Sequence, residues 1–257
     1  MDSIKEYLEE QASRINTPDF IVDDPVQFPR RYTTLQDIEI VAFLISTIAW
    51  GSRKMILNSA EKLLSKFGGT PYDYVMNEGY KTLGTANVHR TFFEQDLAYM
   101  LRGFKQIFQT YGSIEAFAKA LQIHKAEAPA WVLCWALRSE IKNANDRNHN
   151  TKCFPGCFET SALKRLNLAL RWLVRNDGIV DLGAWNLLKP SQLYIPLDVH
   201  VGNTARELGL LKRKTNDRKA VEELTGLLRE FSPEDPIKYD FALFGIGINR
   251  KINSYHG

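Results

Sequence analysis

The sequence predicts an all-α protein of about ten helices. Three observations point there. Apolar residues recur at helical spacing along most of the chain. No alternating runs meet at an Asn-Gly or Asp-Gly turn, so strand signals are poor. Glycines and prolines fall at the ends of the periodic segments, where helices stop.

The elements follow in order. The acidic start, MDSIKEYLEE, is helix-like and unlike a secretory leader, and the protein is expected in the cytoplasm. Thr34 and Asp37 read as a cap and its reciprocal acid, opening LQDIEIVAFLISTIAW. Gly51 breaks that run, Ser52 caps RKMILNSAEKLLSKF, and Gly68-Gly69 stops it. Helices are then predicted over 91–112, 113–121 and 128–144, before a polar loop, NDRNHNTKCFPGCFET. Helix resumes at Ser161 with SALKRLNLALRWLVRN, and VDLGAW is a turn. DVHVGNTAREL runs to Gly209, DRKAVEELTGLLREF stops before SPEDP, and IKYDFALFGIGINRKI completes the set.

At 257 residues and 44% hydrophobic, the chain has apolar mass for one large domain or two intimate lobes. No apolar run is long enough to span a membrane. Cys134, Cys153 and Cys157 make an odd count, which argues against a disulfide scaffold. No second cysteine pair completes a zinc site, so neither metal nor cofactor is expected. The net charge of +3 is unevenly spread: residues 1–24 carry seven acids and two bases. Bases cluster at 163–175, 210–220 and 249–251, a pattern shared by phosphate-binding faces and by plain solvated surfaces.

Two stretches carry candidate chemistry. On the helix from Ser161, Leu163, Leu166, Leu170, Leu173 and Val174 share the core face. Lys164, Arg171 and Arg175 form a stripe beside it, with no acid from Ser161 through Asn176. Like charges on one stripe repel, and a bound polyanion would relieve them. In YIPLDVHVGNTARELGLL, Pro196 keeps Ile195 extended, so Asp198 falls at an N-cap position. A cap and a reactive carboxylate draw on the same physics, because helix N–H groups hold the charged form. Trp50, Trp172 and Trp185 are candidates for stacking on a base or for the core.

The segment YIPLDVHVGNTARELGL resembles the Val-Asp-Thr-His-Val stretch of helix-hairpin-helix DNA glycosylases of the endonuclease III class. IEIVAFLISTIAWGSRKMILNSAEKL is similar to the first core helices of that superfamily, and IKYDFALFGIGIN to the helix before its cluster loop. The likeness covers most of residues 25–250. The chain also resembles a bacterial domain-of-unknown-function family with SALKRLNLALRWLVRNDGIVDLGAW as its signature. The loop CFPGCFETSALK lacks the second glycine of the tight Leu-Pro-Gly-Val-Gly hairpin, and 34 residues separate Lys164 from Asp198. An archaeal 8-oxoguanine glycosylase branch, with a long gap and an irregular hairpin, is the nearer likeness.

The resemblance implies a two-lobed helical bundle. One lobe comprises about 25–34 and 165–257 with the N-terminal helices, the other about 35–160. It implies a monomer that takes double-stranded DNA, or structured RNA as the alternative, and a damaged base such as an oxidised purine flipped into a cleft. Lys164 matches the lysine that attacks the sugar, and Asp198 the aspartate that assists it. Nucleic-acid contacts are expected from Arg165, Arg171, Arg175, His200, Arg206, Lys212 and Arg213. The competing expectation is a glycosylase scaffold that binds DNA or RNA without cleaving it.

Overall fold

The structure, a computed structural model, describes residues 2–254. The side chains of 249–254, and with them the basic run at 249–251, lie outside the described residues. The chain is all-α, with one two-stranded hairpin among the described residues. In order come α1 (Asp2–Ile15), α2 (Pro18–Val22), α3 (Leu35–Ile48), α4 (Arg53–Ser65) and α5 (Pro71–Met76). The strands β1 (Asn87–His89) and β2 (Phe92–Phe93) precede α6 (Glu94–Tyr111), α7 (Ile114–Ala120) and α8 (Pro129–Asn143). A loop leads to α9 (Lys164–Val174), followed by α10 (Val199–Glu207), α11 (Arg218–Phe231) and α12 (Tyr239–Ser254). None of the described helices is long and apolar enough to cross a membrane.

Four boundaries differ from the sequence expectation, each for a local reason. The short helices α2 and α5 start on Pro18 and Pro71, whose fixed φ suits a first helical position. Thr34 does not cap α3. Its hydroxyl donates to Asp37 Oδ2 at 2.5 Å, while Asp37 Oδ1 accepts from the Tyr72 N–H at 2.7 Å, tying α3 to α5. The segment expected as helix from Thr91 begins as the hairpin instead, with Arg90 at its tip in left-handed backbone (φ 51°). Helix α9 begins at Lys164 rather than Ser161, because Leu163 also adopts left-handed backbone (φ 47°).

Where serine or aspartate precedes a helix, the caps form as expected. Ser52 Oγ accepts from the Met55 N–H at 3.4 Å, Ser113 Oγ from Ala116 at 2.9 Å and Asp217 Oδ1 from Ala220 at 3.1 Å. The buried side chains form one contiguous core. Helices α3 and α9 run together through its middle, and each is buried on nearly every face. On one side α12 packs against α1 and α10, and on the other α6 packs against α7 and α8.

One buried carboxylate braces the centre. Glu39 on α3 is fully buried and accepts from the N–H groups of Ile114 and Glu115 at the start of α7, each at 2.8 Å. It also accepts from Trp185 Nε1 at 2.9 Å. Burial pushes its carboxyl up to about 7, although those three donors favour the charged form. The folded protein therefore holds a proton that the unfolded chain releases nearer pH 4.5. Stability from this group is fullest below that value and is lost as pH rises through about 7. Urea titrations should show wild-type stability declining between about pH 5 and pH 8. Glu39→Gln should flatten that decline and cost about 2 kcal/mol at pH 6, because its amide N–H₂ faces a donor. An unchanged pH profile in the variant would remove Glu39 as its source.

Candidate active site

Helix α9 is 11 residues long, and from Leu166 to Val174 every residue is buried. Its first residue therefore starts against the interior, and Lys164 reaches into a cleft of about 730 Å³. That volume lies in the range of ligand pockets, which run from about 300 to 1,000 Å³. The Lys164 side chain is half-buried, and its Nζ donates to the backbone oxygen of Ala49 at 3.3 Å. Ala49 closes α3, so α3 and α9 together set the position of the amine.

Asp198 lies in the same cleft. It caps α10, with Oδ1 accepting from the Val201 N–H at 3.0 Å, and its own carbonyl accepts from Asn216 Nδ2 at 3.0 Å. No hydrogen bond engages Oδ2 among the described residues. The cap thus occupies one oxygen and leaves the other available to the cleft. Desolvation is the largest influence on Lys164 and pulls its ammonium below the ordinary lysine range. Asp198 is the carboxylate that opposes this most strongly, followed by Asp240 and Asp24, while Arg171 adds to the lowering.

Asp24 and Asp240 are site residues that the sequence reading missed. Asp24 is 8% exposed and caps a turn, accepting from the Val26 N–H at 3.0 Å. Asp240 is 5% exposed, in the first turn of α12, and accepts from Arg171 Nη1 through Oδ2. Its Oδ1 is buried and has no partner among the described residues. Burial raises both carboxyls above the ordinary range, that of Asp240 to about 6. Neither stands in a motif of its own, and only the fold brings them to the lysine.

The structure corrects the reading of the cationic stripe. Arg171 and Arg175 are 3% and 5% exposed, not displayed to a polyanion. Arg171 donates to Asp181 Oδ1 at 3.1 Å and to Asp240, and its guanidinium lies over the Phe241 ring. Arg175 donates to Asp181 at 3.1 Å, to Asp235 at 2.8 Å and to Asp177. A buried guanidinium needs carboxylates around it, and these come from the loop just after α9 (Asp177, Asp181) and from Asp235 and Asp240, 60 and 69 residues away. Of the two, only Arg171 lines the cleft.

The other expected contact residues fall in two groups. Arg165 lines the cleft but gives Nη1 to the oxygens of Thr47 and Lys152, at 3.0 and 3.1 Å. His200 lines it edge-on to Phe244, with ring centroids 6.5 Å apart. Arg206, Lys212 and Arg213 do not line it. Arg206 braces the loop before α11 through the Arg213 oxygen and Asn216, Arg213 forks onto Asp217 at 2.6 and 2.5 Å, and Lys212 is exposed. Trp172 and Trp185 are core residues, whereas Trp50 is half-buried on the cleft wall. Cys134 and Cys153 are buried free thiols and Cys157 is an exposed one. Among the described residues no group of His, Cys, Asp and Glu could hold a metal ion.

Two outcomes follow. After reductive methylation with carbon-13 formaldehyde, Lys164 should titrate below the ordinary 10.5, and Asp198→Asn should move it further down. An unmoved or raised titration would show that Asp198 does not act on the amine. Arg171→Met should destabilise the fold by about 3–5 kcal/mol in urea titrations, because Asp240 is left buried without its cation and Asp181 keeps only Arg175.

No curated protein and no solved structure shows significant similarity to the chain. The helices that build the cleft, from Asp24 to the first turns of α12 and beyond, lie within residues 24–249, and these match the family described as Protein of unknown function (DUF2400). The chain belongs to that family.

Proposed function

We propose that the protein is a DNA base-excision glycosylase and abasic-site lyase. The observation that carries this reading is the pairing of Lys164 and Asp198 in one open cleft, with the amine desolvated and the carboxylate only half engaged by its cap. A protonated lysine is a poor nucleophile, and partial burial moves Lys164 toward the neutral amine.

In the proposed reaction a damaged nucleotide, such as one bearing an oxidised purine, is flipped into the cleft. The neutral Lys164 amine attacks C1′ of the sugar while the C1′–N bond to the base breaks. The base leaves with the bonding electrons and takes up a proton. Oδ2 of Asp198 takes a proton from the new C1′–N linkage, and the sugar ring opens to a protonated imine. Loss of the 3′ phosphate by β-elimination cleaves the strand, and hydrolysis frees the lysine. Asp198 also offsets positive charge as it develops on the sugar. The start of α9 supports the reading in a second way. No side chain caps it, so its first N–H groups are open to a backbone phosphate.

Borohydride trapping on duplexes containing 8-oxoguanine or an abasic site tests this. Wild type should give a covalent protein–DNA adduct, Lys164→Ala none, and Asp198→Asn a rate lower by roughly a hundredfold or more. Equal trapping by wild type and Lys164→Ala, or no trapping on any lesion, would overturn the reading. Binding without trapping would favour a scaffold that holds nucleic acid but does not cleave it.

A further inference from the structure

We propose that Arg53 and Arg90 form a phosphate clamp at the mouth of the cleft, which grips the phosphodiester next to the flipped nucleotide. The inference rests on the nucleic-acid reading above. Arg53 is the first residue of α4 and lines the cleft. Its guanidinium lies between Phe20 and Phe244, 5.5 and 5.2 Å from their ring centroids. Arg90, at the exposed tip of the hairpin, lies 4.8 Å from the centroid of Trp50, which is on the cleft wall. Neither guanidinium donates a hydrogen bond or forms an ion pair among the described residues. The charge of Arg53 reaches Asp24 in the cleft and works against the rise of that carboxyl.

Stacking on a ring face fixes a guanidinium while leaving its N–H groups free in the plane. Both arginines are therefore held in place with their donors uncommitted. That sets them apart from Arg165 and Arg171, the other arginines of the cleft, whose donors are engaged by protein oxygens.

The two arginines belong to one rigid unit. His89 Nε2 is bonded to the Trp50 oxygen at 2.7 Å and its Nδ1 to Ser59 Oγ at 3.0 Å, pinning the hairpin to the turn between α3 and α4. Arg90 keeps its left-handed backbone while its carbonyl accepts from Asn87 Nδ2 at 2.5 Å. At Gly51, whose φ of 107° favours glycine, an added Cβ would sit 3.0 Å from Arg90 Nη1, so the turn and the arginine are close neighbours. Two cations held across such a turn repel unless an anion joins them, and a phosphate oxygen pair matches the guanidinium fork. The same turn begins at Ala49, whose oxygen holds the Lys164 amine, so the clamp and the nucleophile share one support.

The test measures binding of duplexes carrying a reduced abasic-site analogue as a function of salt. Arg53→Met and Arg90→Met should each weaken binding about tenfold or more at 0.1 M salt and reduce the slope of log affinity against log salt by about one. Arg53→Lys, which keeps the charge without the fork, should restore the slope but only part of the affinity. Replacing single phosphates around the analogue with neutral methylphosphonates identifies the partner. At one position the loss seen with wild type should vanish in the arginine variants. If wild type binds no DNA, the nucleic-acid reading fails. If wild type binds and both Met variants keep its affinity and slope, the clamp fails while that reading stands. Displacement of the duplex by a free nucleotide monophosphate at matching phosphate concentration would also overturn the clamp as a site for the strand.

Discussion

Arg171 donates to Asp181 and Asp240 from a position sealed from solvent, and much of the molecule is arranged around that fact. A guanidinium cannot be buried without anions beside it. Arg175, one turn further along α9, repeats the demand and draws in Asp177, Asp181 and Asp235. Asn16, just past α1, donates to Asp177 at 2.7 Å, so the N-terminal helix is tied to the same lattice. The result fixes α9 as a central strut with α12 on one flank and the 177–181 loop on another. A helix held that way leaves its first residue little choice of direction, and Lys164 points into the cleft.

The lysine is governed by two opposed effects. Desolvation favours the neutral amine, and three carboxylates favour the ammonium. The balance lies on the side of desolvation, with Asp198 the strongest opponent. That combination suits a nucleophile, because the amine is held toward its neutral form in a cleft that also carries a carboxylate able to offset positive charge. The cap geometry adds to this. One oxygen is fixed by the Val201 N–H, so the carboxylate is oriented while the other oxygen remains free. In the proposed reaction, cap and proton acceptor are one residue with two oxygens in different employment.

Much of the fold was legible in the sequence, because it rests on local physics. Ser52, Ser113, Asp198 and Asp217 cap as short polar side chains before apolar periods do, and Gly51, Gly112 and Gly209 close segments with left-handed backbone. Lys164 and Asp198 were legible as candidates through their positions at helix starts. What stayed hidden depends on long-range pairing. A helical wheel assigns Arg171 and Arg175 to an outer stripe, since it cannot see Asp240 and Asp235 sixty and more residues away. Asp24 and Asp240 went unnoticed for the same reason. Leu163 misled in another way, since a leucine in left-handed backbone is set by its surroundings and not by its own preference.

These pairings relocate the positive potential of the cleft. The basic run at 163–175 is the most conspicuous in the sequence, yet its arginines are neutralised by carboxylates or engaged by backbone oxygens. The uncommitted guanidinium groups are on the α3–α4 turn and the hairpin, where the sequence shows no cluster at all. Inside, Asp24, Asp198 and Asp240 surround one lysine. The cleft therefore sets carboxylates near its lysine and uncommitted guanidinium groups beside the α3–α4 turn. Under the proposed reaction that arrangement is the useful one: charge that becomes positive on the sugar meets carboxylates, and the phosphates that stay outside meet arginine. A cleft with its arginines unpaired would hold a strand but oppose such chemistry, and in the proposed reaction the neutralisation of Arg171 by Asp181 and Asp240 is what keeps the interior suited to it.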